Sequence, residues 1–104
     1  MNAEMQKRVA EFVELYELNI GITYRMLDLV SEVGELSKVV LQTTEYGRRG
    51  FQPNERWEEE LGDVLFALIC VANSTGVDLE RALAMVLEKY RNRLESKQDA
   101  GSGR

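Results

Sequence analysis

The chain has 104 residues, 13 of them Lys or Arg and 18 Asp or Glu, for a formal net charge of −5 and a pI near 4.8. That length fits one domain, and the acidic balance excludes a general binder of nucleic-acid polymers, which needs a basic surplus to displace phosphate counterions. With no histidine and Cys70 as the single cysteine, the residues exclude a histidine triad, a histidine-ligated zinc, a thiolate zinc cluster and an internal disulfide.

The first segment carries Met5, Val9, Phe12, Val13 and Tyr16 at helical spacing, with Glu4, Lys7, Arg8, Glu11 and Glu14 on the other side, and predicts an amphipathic helix over 3–18. Asn19-Ile20-Gly21 interrupts the pattern. A second helix is expected over about 23–44, ending near Gly47. The segment TEYGRRGFQPN then reads as a loop, with Gly47, Gly50 and Pro53 as breakers. Asn54 is placed to cap a third helix over 55–75, and Gly76 followed by Val77 reads as a left-handed helix stop. Asp78 caps a fourth helix with Leu79, Ala82, Leu83, Val86, Tyr90 and Leu94 on one face. No strand-like alternation occurs. The expected fold class is all-α, a four-helix bundle in one domain over 1–96, with a flexible polar tail, KQDAGSGR, over 97–104.

The third helix is unusual. From Val64 to Ala72 it is apolar around its whole circumference for nine residues, whereas a bundle helix needs one apolar stripe. That run is far short of the roughly 20 residues that span a bilayer, and the N-terminus is charged, so no membrane partner and a cytoplasmic location are expected. The second helix is also broadly apolar, through Leu27, Val30, Val33, Leu36, Val40 and Leu41. One short chain has too few helices to enclose such a segment. A second copy covering the remaining faces, in a tight homodimer or a dimer of dimers, is the simplest remedy; the alternative is a well-buried central helix in a monomer.

Two segments echo one another: Glu32-Val33-Gly34-Glu35-Leu36 and Glu60-Leu61-Gly62-Asp63-Val64. Residues three apart share a helical face, so Glu32 projects with Glu35 and Glu60 with Asp63, and Asp28 extends the first stripe. A loop of about ten residues joins the two helices, which lets them pack antiparallel and face the pairs together. Four such carboxylates cannot all stay ionised without compensation. An oxygen-ligated divalent cation supplies it, and Mg²⁺ suits a set with no imidazole or thiolate, with Mn²⁺ as the alternative. Without these four acids the net charge is −1, so the acidity is concentrated at one place. The competing reading is a solvated acidic face paired with Arg25, Lys38 or Arg56. Gly34 and Gly62, poor helix formers placed between acids, point to close approach of backbone or ligand.

The order E-x-x-E, then E-x-x-D on the next helix, resembles the MazG-type all-α nucleoside triphosphate pyrophosphohydrolases. The resemblance is specific in SEVGELSKVV and WEEELGDVLFALICVANSTGVDL and covers roughly Leu15 to Leu94. It implies a Mg²⁺-dependent hydrolase that cleaves a (deoxy)nucleoside triphosphate between the α and β phosphates, giving monophosphate and pyrophosphate. It also implies homodimers or homotetramers, and Glu32, Glu35, Glu60 and Asp63 as the catalytic metal ligands. With no histidine, the proton of the attacking water passes to a carboxylate or to solvent; Glu35 is the first choice for that helper and Glu59 the second.

Cations are expected on the phosphates. Lys38 follows Glu35 by one turn, Lys89 and Arg93 share a face of the last helix, and Arg48 and Arg49 lie in the loop. Asn73, the first polar side chain after nine apolar ones, resembles an asparagine of some MazG-like proteins, which makes it a candidate for substrate binding; the alternative is a residue that helps end the helix. Trp57, Tyr24 and Phe51 are the aromatic candidates for a base. The last helix departs from the family at Val86 and Tyr90, where many members carry lysine and asparagine. The same residues leave open a catalytically silent helical homo-oligomer or interaction module, and, within the superfamily, a phosphoribosyl-ATP or dUTP pyrophosphohydrolase. A di-iron bundle lacks its Glu-x-x-His element.

Overall fold

A computed structural model describes residues 3–99 as helices α1 (Glu4–Leu15), α2 (Ile22–Thr43), α3 (Glu55–Ser74) and α4 (Leu79–Asp99). The all-α, four-helix expectation holds, and the helix ends follow local chemistry. Asn54 Oδ1 accepts from the Trp57 N–H at 2.8 Å, capping α3. Asp78 Oδ1 accepts from the N–H groups of Glu80 at 3.0 Å and Arg81 at 3.3 Å, capping α4. Gly76 is left-handed, φ +70°, and the Val77 N–H returns to the Ala72 carbonyl at 2.9 Å, closing α3 as its sequence predicts. α1 stops at Leu15, three residues earlier than expected. There Glu17 takes φ +54° and the Leu18 N–H bonds the Val13 carbonyl at 2.9 Å, so a glutamate performs the reversal that glycine usually makes.

α2 and α3 form the main packed pair, and α1 lies on α3. The pair is antiparallel: Arg56 near the start of α3 donates to Gln42 near the end of α2, while Glu32 meets Glu60 and Asp63 further along. Phe12 of α1 meets Phe66 of α3 edge-on, ring centroids 6.2 Å apart. The buried core is thin and holds no aromatic ring: Val13, Val39, Ala67, Ile69, Cys70 and Ala72. The packing of α2 on α3 brings their acidic stripes within reach of each other.

α4 leaves α3 at 100° and packs extensively on none of the other helices. The radius of gyration is accordingly 17.7 Å, against about 13 Å for a compact domain of this length. Leu83 (54% exposed), Leu87 (58%) and Leu68 (39%) stand open. The all-round apolar segment of α3 is thus only partly enclosed by its own chain. No other part of the described chain approaches Gly34 or Gly62 closely: a Cβ on either would meet nothing within 4 Å among the described residues. No single described helix is long and apolar enough to cross a membrane. Of the expected flexible tail, 97–99 continue α4 and 100–104 lie outside the described residues.

Candidate metal centre

The α2–α3 seam brings three of the four expected ligands together. Glu32 of α2 and Glu60 and Asp63 of α3 each offer a carboxylate oxygen, and the three oxygens lie within 4.8 Å of one another. Glu32 and Glu60 are half-buried and Asp63 is exposed, so the cluster opens to solvent on the Asp63 side. Burial pushes the Glu32 carboxyl above the ordinary glutamate range, and the charges of Asp63, Asp28, Glu60 and Glu35, in that order, push it further the same way. Among the described residues, Glu60 Oε1 is buried without a hydrogen-bond partner.

An orphaned carboxylate oxygen among mutually repelling acids is an unfavourable arrangement for a chain by itself. The donor set is hard, all oxygen, and contributed by two rigid helices. It fits a divalent cation of the Mg²⁺ or Mn²⁺ type and offers nothing to a soft one.

Glu35 stands outside this triad. Its Oε2 pairs with Lys38 Nζ at 3.5 Å, with side chains 43% and 60% exposed; an ion pair that long and that open contributes little. The pairing keeps Lys38 beside Glu35, one turn further along α2, as the spacing predicts. Glu59 is exposed on α3. Trp57 lies one turn before Glu60, half-buried, its ring edge-on to Phe51 at 4.9 Å and 69°. Tyr24 is exposed on α2, and in the loop Arg49 pairs with Glu45 at 3.4 Å.

Other candidates are not gathered at the cluster within one chain. Lys89 and Arg93 lie against the Tyr90 ring, 5.3 and 5.9 Å from its centroid, on the helix that departs from the bundle. Asn73 stands ten residues beyond Asp63 on α3, about 15 Å along the axis. It is engaged in both directions by α1: Oδ1 accepts from Gln6 Nε2 at 2.9 Å, and Nδ2 donates to the Gln6 carbonyl at 3.1 Å. Gln6 also donates to the Val77 carbonyl at 2.8 Å and accepts from the Leu79 N–H at 2.7 Å, so it ties α1 to the α3–α4 turn.

Sequence reasoning missed Gln6, and it missed the bond from Arg56 to Gln42 that closes the loop end of the seam one turn before Glu60. Neither lies in a motif. Each joins positions far apart in sequence, and only the stripe shared by Arg56, Glu60 and Asp63 could have drawn attention to the second.

The family model for the MazG nucleotide pyrophosphohydrolase domain matches residues 22–97, which holds α2, α3 and most of α4. The protein YpjD of Bacillus subtilis is 34% identical over 96 residues, 89% of this chain and 82% of that protein. The dCTP pyrophosphatase 1 of Rattus norvegicus is 40% identical over 72 residues, 65% of this chain; the match spans 42% of that longer protein. Among solved structures, a Bacillus-conserved MazG protein described as a nucleotide pyrophosphohydrolase superposes with TM-score 0.70 at 39% identity, covering 84% of this chain and 85% of that one. The crystal structure of YpjD from Bacillus subtilis gives TM-score 0.73 at 32% identity, covering 89% and 95%.

Proposed function

The chain belongs to the MazG nucleotide pyrophosphohydrolase domain family, and from that premise we propose that it hydrolyses (deoxy)nucleoside triphosphates to monophosphate and pyrophosphate with Mg²⁺ as its cation. The carrying observation is the meeting of Glu32, Glu60 and Asp63 oxygens within 4.8 Å, one of those groups having a buried oxygen with no partner among the described residues. Glu32, Glu60 and Asp63 would hold the cation, with Glu35 as the fourth ligand, since its long exposed pair with Lys38 leaves the carboxylate free to turn. When bound, the cation neutralises phosphate charge, polarises phosphorus and makes water a better nucleophile.

The chain's own residues supply position and charge. Lys38 presents an ammonium to the phosphates from the α2 side, where an acidic seam would otherwise repel them. Glu35, or Glu59 in its place, takes the proton of the attacking water, because no histidine is available. Trp57, with Phe51 against its edge, offers an aromatic surface for the base at the loop end of the seam. Lys89 and Arg93 are cations for the outer phosphates that a single chain does not bring to the site.

The working form is a homodimer or homotetramer. The unpacked α4, the open leucines on α3 and α4, and a radius of gyration well above that of a compact domain support this reading. The name of the rat relative, matched over less than half its length, puts dCTP among the substrates to try.

The test is an assay of the purified protein with ribo- and deoxyribonucleoside triphosphates, dCTP included, with Mg²⁺, with Mn²⁺ and with chelator. Pyrophosphate and monophosphate should appear in equal amounts and depend on the cation. Release of orthophosphate, or no release from any nucleotide, overturns the reading.

A further inference from the structure

Arg25 is the one charged residue that is buried among the described residues, 6% exposed. It stands on α2 seven residues before Glu32, about 10 Å along the helix axis, and its Nη2 donates to the Leu18 carbonyl at 2.6 Å. Among the described residues no carboxylate lies within ion-pair distance of it. A guanidinium carries five N–H groups and keeps its proton in proteins. One bond to a carbonyl leaves a largely buried charge without a counter-charge, and its remaining N–H groups are not sealed in the core, since Glu60 Oε1 is the orphaned buried side-chain atom among the described residues; they reach accessible space beside the helix. Tying down the α1–α2 link at Leu18 needs a single donor, and a neutral amide would serve. The positive charge is surplus to that task.

The unspent donors have somewhere to go. Arg25 lines a cavity of about 390 Å³ between α1, the α1–α2 link and α3, walled among others by Glu14, Asn19, Cys70, Asn73 and Ser74. This cavity is separate from the carboxylate cluster: Cys70 and Ser74 lie 7 and 11 residues beyond Asp63, about 10 and 16 Å along α3. Its volume exceeds many times the ~30 Å³ share of one water and lies in the range of small-molecule sites. The Asn73 amide is committed to Gln6 and the Ser74 hydroxyl donates to the Cys70 carbonyl at 2.8 Å, so these form fixed wall. Asn19 adds an amide, and Glu14 an acceptor for a hydroxyl or amine of the ligand.

We infer that this cavity is a second ligand site, taking a small organic oxyanion whose carboxylate or phosphate head sits on the Arg25 fork and whose polar body lies between α1 and α3. The bidentate edge of the guanidinium suits either head, and the experiment distinguishes them.

Cys70, the only cysteine, is itself part of the wall, so its alkylation by iodoacetamide reports occupancy. The full chain is studied in chelator, which keeps anions from the carboxylate cluster, with inorganic phosphate, acetate or AMP at millimolar concentration and chloride as the control. At least one of the three should slow Cys70 modification by about threefold or more and raise the melting temperature. Protection by phosphate and AMP but not acetate assigns a phosphate head; the converse assigns a carboxylate. Arg25→Gln keeps a donor for Leu18 and should abolish the protection. Should that variant fail to fold, Asn19→Ala leaves the guanidinium in place and should weaken it. Protection unchanged in either folded variant, equal protection by chloride, or none from any probe overturns the inference. So does protection that rises with protein concentration alone, which would mean that a second copy fills the space.

Discussion

Replacing Glu32 by glutamine removes one negative charge from the seam while keeping its shape, and the effect on stability should depend on the cation. The Glu32, Glu60 and Asp63 oxygens lie within 4.8 Å; at that separation two unit charges repel by about 3.5 kcal/mol at an effective dielectric of 20 and about 0.9 kcal/mol in bulk water. Asp63 is exposed and the two glutamates half-buried, so the relief falls between these limits, on the order of 1–3 kcal/mol. For a domain of this size that raises the metal-free melting temperature by at least about 5 °C.

Saturating Mg²⁺ should narrow the difference, and reverse it where the relief lies at the lower end of that range, since a ligand at 100 times its Kd stabilises the parent by about 2.7 kcal/mol and the variant by less. Turnover should fall by orders of magnitude. The assay is a thermal melt of both proteins in chelator and in Mg²⁺, paired with pyrophosphate release. A metal-free Glu32→Gln protein less stable than its parent, or one with the parental Mg²⁺ shift, refutes the reasoning. The pH dependence follows from the same group. Because the folded chain holds the Glu32 carboxyl above its ordinary range, the folded state binds its proton more tightly than the unfolded state does. Its contribution to metal-free stability is best below the unfolded value of about 4.3 and declines as pH rises to the elevated folded value. Glu32→Gln should flatten that decline in a series of chelator melts.

Three further outcomes are expected. Lys38→Ala should raise KM for the triphosphate several-fold while leaving the Mg²⁺-induced melting shift intact, because the residue serves phosphate and not cation; a lost shift would reassign it. The parent should sediment as a dimer or tetramer at micromolar concentration, and Leu68→Asp should give aggregated or unfolded chain; a well-folded parental monomer would remove the interface argument. Asn54→Ala should cost about 1 kcal/mol in a thermal or denaturant melt by freeing the Trp57 N–H, with kcat nearly unchanged.

The helices, their caps and the acidic stripes are legible in the sequence because each depends on neighbours within a turn or two. Asn54, Gly76 and Asp78 act on backbone groups no more than five residues away, and Glu32, Glu60 and Asp63 are set on their faces by the 3.6-residue period alone. Even the incomplete enclosure of α3 follows from counting apolar faces against available helices. What pattern could not give is which of several equivalent polar groups finds which distant partner. Glu35 satisfies the same spacing rule as Glu32, yet it turns to Lys38 while Glu32 turns to α3.

Asn73, placed by resemblance with the substrate, is held by Gln6, 67 residues earlier. Arg25 reads as a surface cation able to pair with the acids, and tertiary packing buries it against Leu18 instead. The departure of α4 from α3 is likewise invisible locally, since an apolar stripe on a helix says that the stripe must be covered and not by what. Local rules fix the conformation of each segment. The pairing of side chains across segments is decided by small differences in burial and hydrogen bonding among near-equivalent alternatives, and those exist only once the helices have packed.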